Sequence, residues 1–267
     1  MALYPISDTI DKVKRYYRFT KHELTSVVIM ILVAAFIVSF KGWGYEHFDI
    51  AVGLGNFLKA LLIMAAIILT HVSGQRIAAL HAGFRAEHRI WWFGIMLGLI
   101  LIMVSNGNIW FLGFSGLFIH HLTVHRLGYF RYGTNTLAFS LSAMAGPLSV
   151  IFLGTLVKTV DLYILAGLSF VNHALINEFF VLCWIYAAYN LLPIPPLDGS
   201  RIFFQSRMTY AFIFGSVVGY AVLVKFFGIF SYIYALIIGA GFWLIYYISF
   251  EKDWWGGVVA RPPGLDK

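Results

Sequence analysis

Two stretches of this sequence combine chemistry-bearing side chains with the spacing that chemistry needs. The first is Asn190-Leu-Leu-Pro193-Ile-Pro195-Pro196-Leu-Asp198-Gly199. Three prolines within four residues, followed by Asp-Gly, stop or unwind a helix. The carboxylate of Asp198 is then left at the end of an apolar run, where an acid is costly unless it has a partner or a function. The plain alternative is a helix stop followed by a turn. The second stretch is His71-Val72-Ser73-Gly74-Gln75, at the end of another apolar run. A helix-borne catalytic zinc takes two imidazoles at i and i+4, with a glutamate between them to polarise the bound water. Only His71 supplies what that pattern asks for. Val72 cannot accept a proton, and Gln75 offers a neutral amide oxygen, a weak zinc ligand.

Other titratable residues are candidate replacements. His121 and His125 are four apart, but Leu122 stands where the base would be, and in a strand the two rings lie about 13 Å apart. His81 follows His71 by ten residues and, at about 100° per residue on one helix, points well away from it. His120, Glu87 and His88 could return only through a loop. Surface or interfacial positions are the preferred reading of all of these. Lys59 and Glu178 lie inside apolar runs and are each expected to reach toward the interface. Trp91, Trp92, Trp110, Trp254 and Trp255 read as interfacial belts.

The elements that must position His71 and Asp198 are set by composition. Of the 267 residues, 60% are hydrophobic and 12% charged, and mean hydropathy is +0.82. Soluble domains carry about 25% charged residues. A soluble globule and a disordered chain are therefore both excluded, leaving an all-α polytopic membrane protein in contact with the lipid bilayer. The net charge of +7 is read as a topology signal, with no nucleic-acid partner. The single cysteine, Cys183, excludes a disulfide framework. The first 23 residues are polar, without a signal-peptide cleavage site.

Six spans are expected: 24–40, 51–72, 137–160, 175–192, 210–227 and 230–250. The apolar segment 90–119 is expected to enter and return without crossing, because Ser105-Asn106-Gly107-Asn108 breaks it early. Lys and Arg distribution supports this. With no crossing, fifteen fall on the inner side and three on the outer, with Lys59 within the membrane; with a crossing the split is ten to eight. The inner side should carry the excess. Both termini, His71 and Asp198 are then cytoplasmic. Residues 117–132 read as a short cytoplasmic-side β element. The expected organisation is a basic amphipathic segment (1–23), one membrane domain (24–250) and a cytoplasmic tail (251–267).

The run Asn190 to Gly199 matches, at every defined position, the Asn-x-x-Pro-x-x-x-x-Asp-Gly signature of the site-2 protease family of intramembrane zinc metalloproteases. Ala145-Gly146-Pro147-Leu148 is similar to a stretch of that family's preceding core helix. His71 falls where the family's His-Glu-x-x-His motif begins, and Ala78 to Glu87 resembles the segment after that motif in archaeal members. The resemblance covers roughly residues 61–204. It implies His71 and Asp198 as zinc ligands, with Gln75 as a weak third. It also implies Asn190, Pro193, Pro195 and Gly199 as the substrate-binding side. The glutamate position is Val72, so no catalytic base is assigned.

The expectation is an inactive homologue, located in an archaeal or bacterial cell membrane, that binds a transmembrane segment of a partner protein. The alternative is an active zinc metalloendopeptidase with a shifted ligand set. A transporter would show several midplane polar groups and repeated halves; neither is visible.

Overall fold

The computed structural model describes residues 6–43, 49–121, 136–165, 172–228 and 231–251. The chain divides into two compact units, Met1–Gln205 and Ser206–Lys267.

The first unit opens with α1 (Ile6–Tyr16) and α2 (Lys21–Ser39), whose N-cap Thr20 accepts a hydrogen bond from the Glu23 backbone at 3.2 Å. A 3-10 turn, Phe40–Trp43, ends it. α3 (Ile50–His81) is capped by Asp49, whose carboxylate accepts from Ala51 N and Val52 N. Its 32 residues span about 48 Å, well beyond the ~30 Å hydrocarbon core. His71 lies roughly 32 Å along the helix from its first residue, about the thickness of that core. α3 stops where Gly83 adopts φ +83°, a left-handed conformation that glycine takes without steric cost.

β1 (Phe84–Ile90) comes next, then α4 (Trp92–Val104), then β2 (Ser115–His121). β1 and β2 pair antiparallel, with Phe84 opposite His121 and Ile90 opposite Ser115. Trp91 N donates to Phe114 O at 2.7 Å. The segment between the strands therefore starts and finishes at one rung of one ladder, so it enters and returns without crossing. α4 has 13 residues, about 20 Å, too short to span. Its glycines let the returning chain lie against it. A Cβ at Gly94 would stand 2.3 Å from Gly113 O, and one at Gly98 2.8 Å from Phe111 O. The β element thus differs from the expected 117–132 run. It begins at Ser115, its partner is the unforeseen strand Phe84–Ile90, and residues 122–132 lie outside the described part.

α5 (Thr136–Val160) continues as a π turn, Asp161–Leu165. α6 (His173–Asn190) and α7 (Asp198–Gln205) flank the proline cluster. The core of this unit gathers Val27, Met30 and Ala34 of α2, Ile63, Met64, Ile67, Ile68 and Val72 of α3, and Leu182 and Cys183 of α6. α3 and α5 approach closely where a Cβ on Gly74 would meet Ser149 Oγ at 2.4 Å.

In the second unit α8 (Arg207–Phe227) pairs with α9 (Tyr232–Tyr246). Gly215 lies under Phe242, Gly219 under Ile238 and Gly239 against Ser216. Small residues permit such close packing where lipid offers no hydrophobic drive between helices.

Among the described residues, five helical stretches are long and apolar enough to cross a membrane: Lys21–Trp43, Ile50–His81, Leu137–Leu165, Arg207–Val224 and Tyr232–Phe250. The chain is an all-α, multi-pass membrane protein with a small two-stranded sheet. The sixth expected span forms the 18-residue α6. It carries His173, Asn177, Glu178 and Asn190 and is not among the five.

Candidate metal centre

His71 and Asp198, 127 positions apart in the sequence, are brought together. His71 Nε2 stands 3.0 Å from Asp198 Oδ2, with the two side chains 0% and 4% exposed. The spacing is that of a hydrogen bond, but the alignment is not, and neither atom has a hydrogen-bond partner among the described residues. The Tyr186 ring meets the His71 ring edge-on at 5.3 Å. Asp198 is the first residue of α7, and Gly199 lets that helix start against the end of α6. A Cβ on Gly199 would fall 2.0 Å from Leu191 O, so the Asp-Gly pair is a packing requirement as well as a turn signal. Gly146 does the same on α5, where a Cβ would press on His71 Cε1 and Gln75 Cγ, each at 2.8 Å.

One turn after His71, Gln75 is fully buried and committed elsewhere. Its Nε2 donates to Ala143 O at 3.4 Å. Its Oε1 lies 2.6 Å from His88 Nε2. His88, at the middle of β1, places Nδ1 3.2 Å from Glu23 Oε1, and its backbone N–H donates to the same oxygen at 3.3 Å. Arg76 also donates to Glu23 Oε1. Its guanidinium lies 4.0 Å from the centre of the Phe19 ring and 5.4 Å from that of Tyr17. Arg76, Glu23 and His88 are all buried. Burial pushes the His88 imidazole below its ordinary range, against the opposing pull of the Glu23 carboxylate. Val72, at the glutamate position, is 1% exposed within the apolar core.

His88 is among the residues that sequence alone allows a loop to return; β1 returns it, to Gln75 and not to His71. Glu23 is a site residue that sequence reasoning misses, because it closes the polar segment 1–23, where an acid is ordinary. The faint signal is a carboxylate and a guanidinium, Arg76, at the same end of two neighbouring spans. His81 goes elsewhere: its Nδ1 meets Thr9 Oγ1 of α1 at 2.7 Å. His120 stays on the outer face of the hairpin, 3.5 Å from Glu87. The side chain of His121 and the whole of His125 lie outside the described residues.

Asn190 is fully buried, and its Nδ2 donates to Tyr186 O at 2.9 Å. Its Oδ1 has no hydrogen-bond partner among the described residues. Pro193 and Pro195 are exposed on the loop above it. That loop sits beside β2: a Cβ on Gly116 would reach Pro196 at 3.4 Å. Arg201 of α7 donates to the carbonyl of Leu117, in the middle of β2. Burial draws the Arg201 guanidinium below its usual value while the Asp198 charge opposes the shift.

Whether these side chains suit zinc can be tested on their own geometry. Ligands at 2.0–2.2 Å in tetrahedral array stand about 3.4 Å apart. Two unbonded donors converging at 3.0 Å come near that. Beyond the pair the requirement fails. A catalytic zinc takes three protein ligands and a water, and among the described residues no group of three His, Cys, Asp or Glu side chains is placed to hold a metal ion. Gln75, the nearest further donor on the same helix face, is engaged by His88. A ligating imidazole also usually donates its second N–H to an oriented acceptor, yet His71 Nδ1 has no partner among the described residues. The described residues do not fit a catalytic zinc centre.

No family model and no solved structure matches the chain. A comparison with curated proteins finds a relative in Methanocaldococcus jannaschii, named "Putative zinc metalloprotease MJ0611". The two are 27% identical over 210 residues, which is 79% of this chain and 98% of that protein. The chain is thus similar, over most of its length, to a protein named "Putative zinc metalloprotease", while among its described residues the donor set stops at His71 and Asp198.

Proposed function

We propose that this protein is a proteolytically inactive homologue of the site-2 proteases that holds a transmembrane segment of a partner protein beside the His71–Asp198 pair. The observation that carries the reading is Gln75. The position that should present a second imidazole presents an amide, and that amide is locked between Ala143 O and His88. Val72 supports it, because a core aliphatic side chain can neither take nor give a proton. Loss of a positioned general base alone removes about 10²–10⁴-fold in rate. In this reading Asn190 shapes the floor of the groove, and Gly199 seats Asp198. The exposed Pro193 and Pro195 meet the incoming segment.

The test is zinc content together with cleavage. Purified protein should hold far less than one zinc per chain and should leave a membrane-embedded model substrate intact, while co-purifying with that substrate. Stoichiometric zinc that disappears in His71→Ala, accompanied by cleavage, would sink the proposal. A second reading, an active metalloprotease with a shifted ligand set, draws on the unbonded convergence of His71 Nε2 and Asp198 Oδ2. It requires Asp198→Asn to abolish both zinc binding and cleavage.

A further inference from the structure

Lys59 and Glu178, each expected to reach the interface separately, instead pair with each other at 2.8 Å, with side chains 41% and 38% exposed. They line a cavity of about 260 Å³ between the end of α2, the first half of α3 and the start of α6. Lys59 precedes His71 by twelve residues on one helix, so the cavity lies roughly 18 Å from the His71–Asp198 pair, toward the opposite membrane face. Val38 and Val52 form its apolar wall, and Ser39 and Asn56 complete its polar lining.

The polar atoms here are only partly spent. The ammonium of Lys59 has three N–H groups, and among the described residues it uses one, on Glu178 Oε2. Glu178 Oε1 and Asn56 Oδ1 make no hydrogen bond there. Asn56 Nδ2 is tied to Gly42 O at 2.7 Å, which fixes the amide with its oxygen free. The cavity therefore offers two acceptors, one of them charged, beside a cation with donors to spare. Its volume is several times a water's ~30 Å³ share and just below the usual ~300 Å³ floor for ligand pockets, the size of a head group. Lys59 lies nine residues into α3 and Glu178 five into α6. The acceptor side is thus nearer the helix ends and the cation deeper.

We propose that this cavity binds the head group of a zwitterionic lipid with a primary ammonium, of the phosphatidylethanolamine type. The ammonium would donate to Glu178 Oε1 and Asn56 Oδ1, and the phosphodiester would accept from Lys59. A choline head group has no N–H to donate and should be refused. Charge-assisted hydrogen bonds are the strong ones, and an ion pair at membrane depth marks a site by default.

Full-length protein in nanodiscs of phosphatidylcholine alone, or of an equimolar mixture with phosphatidylethanolamine, tests this. Native mass spectrometry should find ethanolamine lipid retained over choline lipid, and the unfolding midpoint should be higher in the mixture. Glu178→Gln should cut retention about tenfold, the scale of one hydrogen bond to a charged group. The exchange variant K59E/E178K keeps an ion pair but reverses its polarity. It should unfold like the wild type in phosphatidylcholine and lose the ethanolamine lipid. Equal retention of both lipids by the wild type would overturn the proposal, and that comparison stands even if a variant fails to fold. Unchanged retention by the exchange variant would overturn the assigned polarity. An equal rise of the midpoint in phosphatidylcholine on adding soluble glycerophosphoethanolamine would overturn the lipid as the source.

Discussion

One turn of helix separates His71 from Gln75, and that turn decides the chemistry available. Both side chains are fully buried, and Gly146 lets α5 press on both. An imidazole at position 75 would add a third donor on the face that already holds one. Gln75→His is therefore expected to raise zinc content toward one per chain, measured by elemental analysis of purified protein. It should not restore cleavage while Val72 remains. If zinc content does not change, position 75 is not the limiting one. At this scale the sequence is informative where a residue is out of place. An acid after a proline cluster and a histidine closing an apolar run stand out, and the fold joins them at 3.0 Å. Glu23 does not stand out. It closes a polar segment, where an acid is ordinary, and its partners Arg76 and His88 lie 53 and 65 positions away. No local pattern encodes such a contact.

The elements around the site are held by buried polar contacts as much as by apolar packing. Glu23 ties the start of α2 to α3 through Arg76 and to β1 through His88. Tyr17 adds a bond of 2.6 Å to Ser73, between His71 and Gln75 in sequence. Removing one partner of a buried ion pair leaves the other uncompensated and typically costs about 3–5 kcal/mol. Glu23→Ala is expected to destabilise by that order, read as a lower unfolding midpoint in detergent; a change within experimental error would contradict the pairing. At the same middle rung of the hairpin, the Glu23 carboxylate takes the outward N–H of His88 and Arg201 takes the outward carbonyl of Leu117. The hairpin is thus closed by side chains on both edges at its centre. The long helices are legible from apolar run length alone. β1 is less so: Phe84, Ala86, His88 and Ile90 alternate with Arg85, Glu87 and Arg89 as a half-buried strand would, but His88 puts a polar side chain on the buried face and blurs the pattern. The segment becomes a strand through β2, 25 residues further on, and through the burial of His88.

For the molecule as a whole, positive charge and one ladder agree about topology. The Lys and Arg tally favours a non-crossing segment, and the pairing of Ile90 with Ser115 brings its two ends together. Arg85 and His120 face each other across the same ladder and are solvent-accessible, at 39% and 50% side-chain exposure. The single native cysteine, Cys183, is fully buried, so introduced thiols can be read without background. Arg85→Cys and His120→Cys should react with a membrane-impermeant maleimide from the same side of sealed vesicles. Reaction from opposite sides would mean that the segment between them crosses.

The Glu23 contact also has a consequence in time. During synthesis the first span emerges carrying a carboxylate whose partners do not yet exist. Arg76 arrives after 53 residues and His88 after 65, a delay of about 3–13 s at 5–20 residues per second. Until then Glu23 must stay hydrated at the membrane surface, so α2 takes its final depth only after α3 and β1 have arrived. A nascent chain arrested before Arg76 should leave a thiol at position 23 open to an aqueous reagent, and one extended past His88 should shield it. Equal labelling of the two would show that the first span settles unaided.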